Sequence, residues 1–283
     1  MFTPDDPSLP TLTLGDGRLI PAVGFGTWTI RDGEEGYKVV LDALACGYRH
    51  IDTASIYGSE YSVGQAVRLS GIPRQHLFIT TKVSSRDLGA QKAAASLMRS
   101  LDQLQMDYVD LLLIHWPNAV AENWQATLAQ TWEAFCGLRE RGLVGSIGVS
   151  NFLPHHFPAL ASDILPACNQ IEYHVGWTQE EAVAYCQERG ILVSAWSPLG
   201  RRRVFEHPVV QEVAARCGIS VAAVCMAFVV QHGILPLPKS STTARMRENL
   251  ASLEVRLGAA DLQRLERIGS VGWSELHPDH FAS

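Results

Sequence analysis

The sequence predicts an α/β fold, a (β/α)₈ barrel closed at the bottom by an N-terminal hairpin. Three observations carry this. Strand-like runs alternate with helical stretches eight times along 283 residues, an order that yields parallel strands covered by helices. Most of these runs lack the apolar–polar alternation of a sheet wetted on one face, so both their faces are expected to be buried. Helices end repeatedly on glycine, at Gly47, Gly142, Gly190, Gly218 and Gly233, the residue that takes a left-handed turn with least strain. Eight such units in this length favour a closed barrel over an open sheet.

In chain order, residues 11–20 alternate around Gly15-Asp16-Gly17, a hairpin signal. The first barrel unit pairs a strand over Val23–Thr27 with a helix over Glu34–Cys46, whose Val39, Val40, Ala43 and Leu44 share a face. Tyr48–Asp52 precedes a short helix near Glu60–Leu69, Leu77–Val83 precedes Ala90–Leu104, and Val109–Ile114 precedes Ala121–Arg141. Leu143–Val149 is followed by a helix around Pro154–Ala161, and Ala167–Ile171 by Gln179–Arg189. Ile191–Trp196 leads to two helical stretches, Pro208–Cys217 and Val221–Gln231, and Ile234–Pro238 to Thr243–Leu250. A last helix (Ala259–Ile268) and a tail carrying Trp273, His277 and Phe281 complete the chain. No composition break marks a linker, so residues 1–283 read as a single domain, with 258–283 its final helix and tail.

Composition narrows the function. Hydrophobic residues make up 47% of the chain, enough for a substantial core. A net charge of -6 argues against nucleic acid or an anionic membrane as principal partner. The N-terminus carries Asp5 and Asp6 where a signal peptide needs positive charge. The longest apolar run, Val221 to Val230, is about half of the roughly 20 residues that a membrane helix requires. Six cysteines without C-x-x-C spacing read as reduced thiols of a cytoplasmic protein. No H-x-H or H-E-x-x-H occurs, so no metal site is expected, and His155, His156, His277 and His280 read as surface or incidental. A G-x-S-x-G elbow and a Walker loop are absent, and Gly24-Phe25-Gly26 lacks the third glycine of a dinucleotide fingerprint.

What remains is a set at strand ends. Asp52 closes one strand-like run, Lys82 another and His115 a third, and Tyr57 lies just past the first. In a parallel barrel these ends form one rim, where catalytic groups collect. A phenol with a pKa near 10 is a reluctant proton donor at neutral pH. An ammonium about 4 Å away stabilises its phenolate by up to roughly 4 kcal/mol at an effective dielectric of 20, enough to lower it by up to about three pH units. Asp52 keeps that lysine charged, and His115 is placed to hold a carbonyl oxygen. The constellation suits carbonyl reduction beside a hydride donor.

These residues stand in the settings GYRHIDTASIYGSE, TTK and DLLLIHWP, followed by GSIGVSNF (145–152), NQIEYH (169–174), AWSPLG (195–200) and LPKSS with Arg245, Glu248 and Asn249. From about residue 11 to 257 the chain resembles the aldo-keto reductase superfamily, with motifs most like its bacterial 2,5-diketogluconate-reductase-like members. The resemblance implies NADPH (NADP+) bound without a Rossmann domain, and a small-molecule carbonyl substrate. Tyr57 corresponds to the proton donor, Lys82 and Asp52 to the groups that tune it, and His115 to the one that orients the carbonyl. It implies that Ser150, Asn151 and Gln170 bond the nicotinamide carboxamide, with Trp196 stacked on the ring. Ser197 and Leu199 line the pyrophosphate path. Lys239, Ser240 and Arg245 hold the 2′-phosphate, and Glu248 and Asn249 lie on the adenine side. Thr27 joins the cofactor set, and Trp28, Trp116 and Trp273 join Tyr57 and His115 around substrate.

Two departures from the family pattern stand out. Val83-Ser84-Ser85 follows Lys82 where many relatives carry an aromatic, which implies a roomier or more polar pocket. Arg201-Arg202-Arg203 occupies a short loop where relatives have a longer belt, so either a pyrophosphate clamp or a solvated charge run is open. The expected function is NADPH-dependent reduction of aldehydes and ketones by a monomer or weak oligomer. The alternatives are a non-turnover nucleotide sensor on the same fold and a metal-dependent barrel hydrolase.

Overall fold

A computed structural model describes residues 1–4 and 9–281 of the chain. The Asp5–Asp6 pair and the last two residues of the tail lie outside them. The hairpin forms from β1 (Thr11–Thr13) and β2 (Leu19–Pro21), antiparallel with Leu12 opposite Ile20. Gly15 N–H donates to Ala167 O at 2.9 Å, one residue before a barrel strand begins, which fixes the hairpin at the strands' N-terminal ends. Leu14 and Ile20 are buried there with Phe78, Leu111 and Leu235.

Eight parallel strands follow in chain order among the described residues. They are β3 (Phe25–Gly26), β4 (His50–Asp52), β5 (Phe78–Val83), β6 (Val109–Ile114), β7 (Val144–Ser150), β8 (Cys168–Glu172), β9 (Leu192–Trp196) and β10 (Leu235–Leu237). Gly24 N–H donates to Pro236 O and Gly26 N–H to Pro238 O, both at 3.0 Å, and these bonds join the first strand to the last. The barrel is therefore closed. The glycine at 24 is required at this seam: a Cβ there would sit 2.5 Å from both His50 Nδ1 and Leu237 Cδ2. That close packing gives Gly24 a structural role; β3 is shorter than the Val23–Thr27 run expected, although Gly24 and Thr27 on either side of it still donate to neighbouring strands.

The outer layer is α1 (Glu34–Cys46), α2 (Glu60–Leu69), α3 (Ala90–Leu104), α4 (Trp124–Glu140), α5 (Glu180–Gln187), α6 (Pro208–Cys217), α7 (Val221–Gln231), α8 (Thr243–Ala251) and α9 (Ala259–Glu266). The expected helix around Pro154–Ala161 is instead a 3-10 turn, Pro154–Leu160. Pro158 inside it has no N–H to donate, so no α-helical ladder can run through the segment. Gly47, Gly142, Gly190, Gly218 and Gly233 all have positive φ. No single helix among the described residues is long and apolar enough to cross a membrane.

Strand periodicity positions the chemistry. On β6, Val109, Leu112 and Ile114 pack with the helices, whereas Leu111 and Leu113 pack with the bottom cluster inside the barrel. On β5, Ile79 and Val83 face the helices and Phe78 faces inward, which puts Lys82 on the inward side four residues further up. Cross-strand register sets Asp52 opposite Thr80, Ser150 opposite Gln170, and Glu172 opposite Trp196. The barrel interior is thus apolar at the bottom and polar at the C-terminal rim.

Candidate active site

At the rim, one hydrogen-bond network links six side chains. Lys82 Nζ donates to Asp52 Oδ1 at 2.5 Å and to Thr53 O at 2.8 Å. The other oxygen of Asp52 accepts from Gln170 Nε2 at 2.8 Å. Ser150 Oγ donates to Gln170 O at 2.8 Å, and Asn151 Nδ2 donates to Ser150 Oγ at 3.1 Å and to His115 O at 3.0 Å. Trp196 Nε1 donates to Asn151 Oδ1 at 2.8 Å, which fixes the plane of the indole. Lys82 and Asp52 are both buried, so this ion pair is held without solvent screening.

Tyr57 and His115 stand over the pair. Lys82 Nζ lies 5.0 Å from the Tyr57 ring centroid, and the Tyr57 hydroxyl is 3.4 Å from His115 Nε2. His115 Nδ1 is buried and has no hydrogen-bond partner among the described residues. A buried orphan acceptor is less unfavourable than an orphan N–H, so we assign the proton to Nε2, on the side of Tyr57. Burial, with the Lys82 charge adding to it, holds the His115 pKa well below the usual value, and the ring is neutral at pH 7. Burial opposes the Lys82 charge, but Asp52 and Tyr57 outweigh it and the lysine pKa is raised.

The phenol departs from the downward shift expected of it. Burial raises the Tyr57 pKa and exceeds the opposing pull of Lys82, while Asp52 also raises it. The net direction is up. Tyr57 is therefore a neutral donor at physiological pH, and Lys82 limits how far burial raises it.

A cleft of about 830 Å³ opens above this floor. Asp52, Tyr57, His115, Ser150, Asn151, Gln170 and Trp196 line one end. Ser197 and Leu199 line its course, and Lys239, Ser240, Arg245, Glu248 and Asn249 line the other end. Among the described residues neither Lys239 nor Arg245 forms an ion pair, although both are exposed to this cleft. Two uncompensated cations beside a hydroxyl suit a phosphate. At the floor, Gln170 Oε1 has no protein donor among the described residues, an acceptor that suits an amide N–H. These donor sets, joined by one cleft, fit a phosphorylated nicotinamide dinucleotide.

The aldo/keto reductase family model matches residues 22–270. The chain belongs to the aldo/keto reductase family. It is 40% identical over 246 residues to 2,5-diketo-D-gluconic acid reductase B of a Corynebacterium species, covering 86% of this chain and 87% of that one. Glyoxal reductase of Bacillus subtilis is 37% identical over 260 residues, covering 91% and 92%. A silkworm (Bombyx mori) aldo-keto reductase solved in complex with NADP superposes with a TM-score of 0.82 at 32% identity, covering 91% of this chain and 92% of the other.

As an aldo/keto reductase the chain departs from expectation at several positions. Thr27 is fully buried beneath the cleft, its hydroxyl donating to Asp52 O at 3.0 Å. Trp28 and Trp116 line the cleft, but Trp273 lies in a neighbouring pocket, stacked on Trp177 with centroids 4.8 Å apart. Val83, Ser84 and Ser85 are buried and do not line the cleft. The arginines divide. Arg201 and Arg202 line the cleft, Arg201 with its guanidinium 4.8 Å from the Trp28 ring centroid, while Arg203 donates to Trp273 O at 2.7 Å. Arg201 and Arg202 both have left-handed φ, a strained pair for side-chain-bearing residues.

Sequence reasoning also missed lining residues. Ile56, Phe205, Leu276 and Phe281 form much of the apolar wall. Ile56, beside Tyr57, was available to a reader of the rim motif. Phe281 had no local signal, because only the folded tail brings it to Trp116, with ring centroids 4.1 Å apart.

Proposed function

We propose that this chain is an NADPH-dependent carbonyl reductase that converts aldehydes and ketones to alcohols. The observation that carries the reading is Tyr57 and His115 meeting over the buried Lys82–Asp52 pair at the floor of a cleft with free cations at its far end. Reduced nicotinamide, when bound, supplies a hydride to the carbonyl carbon. Tyr57 gives its proton to the carbonyl oxygen, so the C=O bond gains one hydride and one proton in balance. His115 Nε2–H donates to the same oxygen and holds it toward the phenol. Lys82 stabilises the phenolate left behind, and Asp52 keeps that ammonium paired and oriented. Ser150, Asn151 and Gln170 bind the carboxamide, and Trp196 offers a fixed ring face. Lys239, Ser240 and Arg245 bind the 2′-phosphate, with Glu248 and Asn249 beside the adenine.

Relatives named for glyoxal and diketogluconate reduction support small carbonyl compounds as the class. The test is NADPH oxidation by purified protein against a panel of aldehydes, ketones, dicarbonyls and keto-sugars, with cofactor binding followed separately by fluorescence. Turnover of panel members supports the reading. Tight NADPH binding without turnover of any member would favour a nucleotide sensor, and no binding would remove the cofactor assignment.

A further inference from the structure

The tail after α9 is attached at two places. The first spans residues 271–274: Val271 N–H donates to Gly176 O at 3.0 Å, and Ser274 donates to the buried carboxylate of Glu172 through N (3.0 Å) and Oγ (2.6 Å). Past Ser274, the polar links from tail to barrel among the described residues converge on one group. Asp279 Oδ1 accepts from His155 Nε2 at 2.8 Å and His156 Nε2 at 2.7 Å. Other hydrogen bonds here, from His280 and Phe281 to His277 O, stay within the tail.

His156 is a fixed anchor, not the incidental surface residue expected. It is fully buried, edge-on to Trp124 and Phe152. Its Nδ1 accepts the N–H of Leu153 at 3.0 Å, so the ring proton sits on Nε2 and points at Asp279. The three groups converge as a metal triad would, but a protonated Nε2 cannot ligate a cation. The geometry is that of a hydrogen-bonded staple.

What the staple holds is the cleft wall. Asp279 lies between Leu276 and Phe281, both of which line the cleft, and Phe281 rests on Trp116 beside His115. We infer that Asp279 is a positioning residue for substrate. Its bonds to His155 and His156 hold Phe281 and Leu276 as an apolar wall, and so select carbonyl compounds carrying an aromatic or branched apolar arm. This rests on the reductase reading above.

Phenylglyoxal and glyoxal, which differ only by a ring, test it. Asp279→Ala is expected to raise KM for phenylglyoxal roughly fivefold to tenfold, the scale of one aromatic contact, with kcat little changed. For glyoxal, kcat/KM should stay within about twofold, since it does not reach the wall. Asp279→Asn keeps an acceptor oxygen for both histidines and should restore the wild-type KM. Because Asp279 acts through the wall that Phe281 and Leu276 form, the Asp279→Ala/Phe281→Ala double variant should lose clearly less than the sum of the two single losses. Equal losses on both substrates, or additive losses in the double variant, overturn the proposal. Amide hydrogen exchange over residues 275–281 is a second arm, independent of turnover. Exchange should accelerate about tenfold or more in Asp279→Ala, and unchanged exchange removes the staple. A wild type that reduces neither dicarbonyl overturns the reductase reading and the substrate role with it, while exchange still decides the staple.

Discussion

At the scale of single residues, the balance at Tyr57 sets the form of the phenol at the cleft floor. Desolvation and the Lys82 charge push its pKa in opposite directions, and desolvation prevails. The acid form then persists through neutral pH and is lost only above the ordinary phenol value near 10. Single-turnover reduction at saturating cofactor is expected to stay flat from about pH 7 to 9; an alkaline limb centred near 7 or 8 would mean that Lys82 prevails instead. Tyr57→Phe removes the proton source while keeping the ring, and acid catalysis is typically worth about 10² to 10⁴ in rate. The variant should bind NADPH almost normally by fluorescence titration, and retention of more than about a tenth of the rate would place the donor elsewhere. The meeting of Asp52, Tyr57, Lys82 and His115 was legible because each sits at or just past a strand end. The sign of the phenol's shift was not, because its desolvation at the cleft floor depends on how Lys82 and Asp52, from separate strands, come together beneath its ring.

Elements show the same division between local and assembled signals. α2 lies where a short helix was expected near Glu60–Leu69, because an acidic start and a polar end followed by Gly71 are written locally. β3 falls short of its expected run: only Phe25–Gly26 of it pairs regularly, while Gly24 bonds to Pro236 and Thr27 to Asp52 outside it. The Pro154–Leu160 turn had its warning in Pro158, which a helical reading passed over. The tail wall left no local trace at all, since Asp279 and His156 are 123 residues apart. The far end of the cleft was better marked, because Lys239, Ser240 and Arg245 fall within seven positions spanning the end of β10 and the start of α8. Arg245 there carries a prediction about cofactor choice. NADPH and NADH differ by the 2′-phosphate alone, and a hydrogen bond to a charged group contributes about 1.5–3 kcal/mol. Arg245→Ala should therefore weaken NADPH roughly tenfold to a hundredfold, leave NADH nearly untouched, and barely change turnover at saturation. Dissociation constants for both cofactors on both proteins decide it, and equal losses would move Arg245 off the phosphate.

For the whole molecule, three buried histidines tie stability to pH. His50 is held down to about 3 by burial and then the Lys82 charge, and donates to or accepts from Thr80 Oγ1 at 2.9 Å inside the barrel. His156 is held down to about 4, by burial first and the neighbouring His155 next, against the pull of Asp279. His115 is also well below its ordinary value. Each ring is neutral in the fold but takes a proton in the unfolded chain below about pH 6.5. The unfolded state therefore binds more protons as pH falls, and stability declines in that direction. The loss begins near the unfolded value and continues down toward 3 to 4, where His50 and His156 themselves protonate. At about 1.4 kcal/mol per pH unit for each group, moving from pH 6.5 to 5 should remove roughly 2 kcal/mol per histidine. Urea titrations across that range measure the slope. Replacing His50 by Gln, which keeps a hydrogen-bonding side chain for Thr80 but cannot protonate, should lower the starting stability and flatten the acid decline by about a third. A slope unchanged by that substitution would mean that His50 exchanges no proton on unfolding, and the acid sensitivity would then belong to the carboxylates.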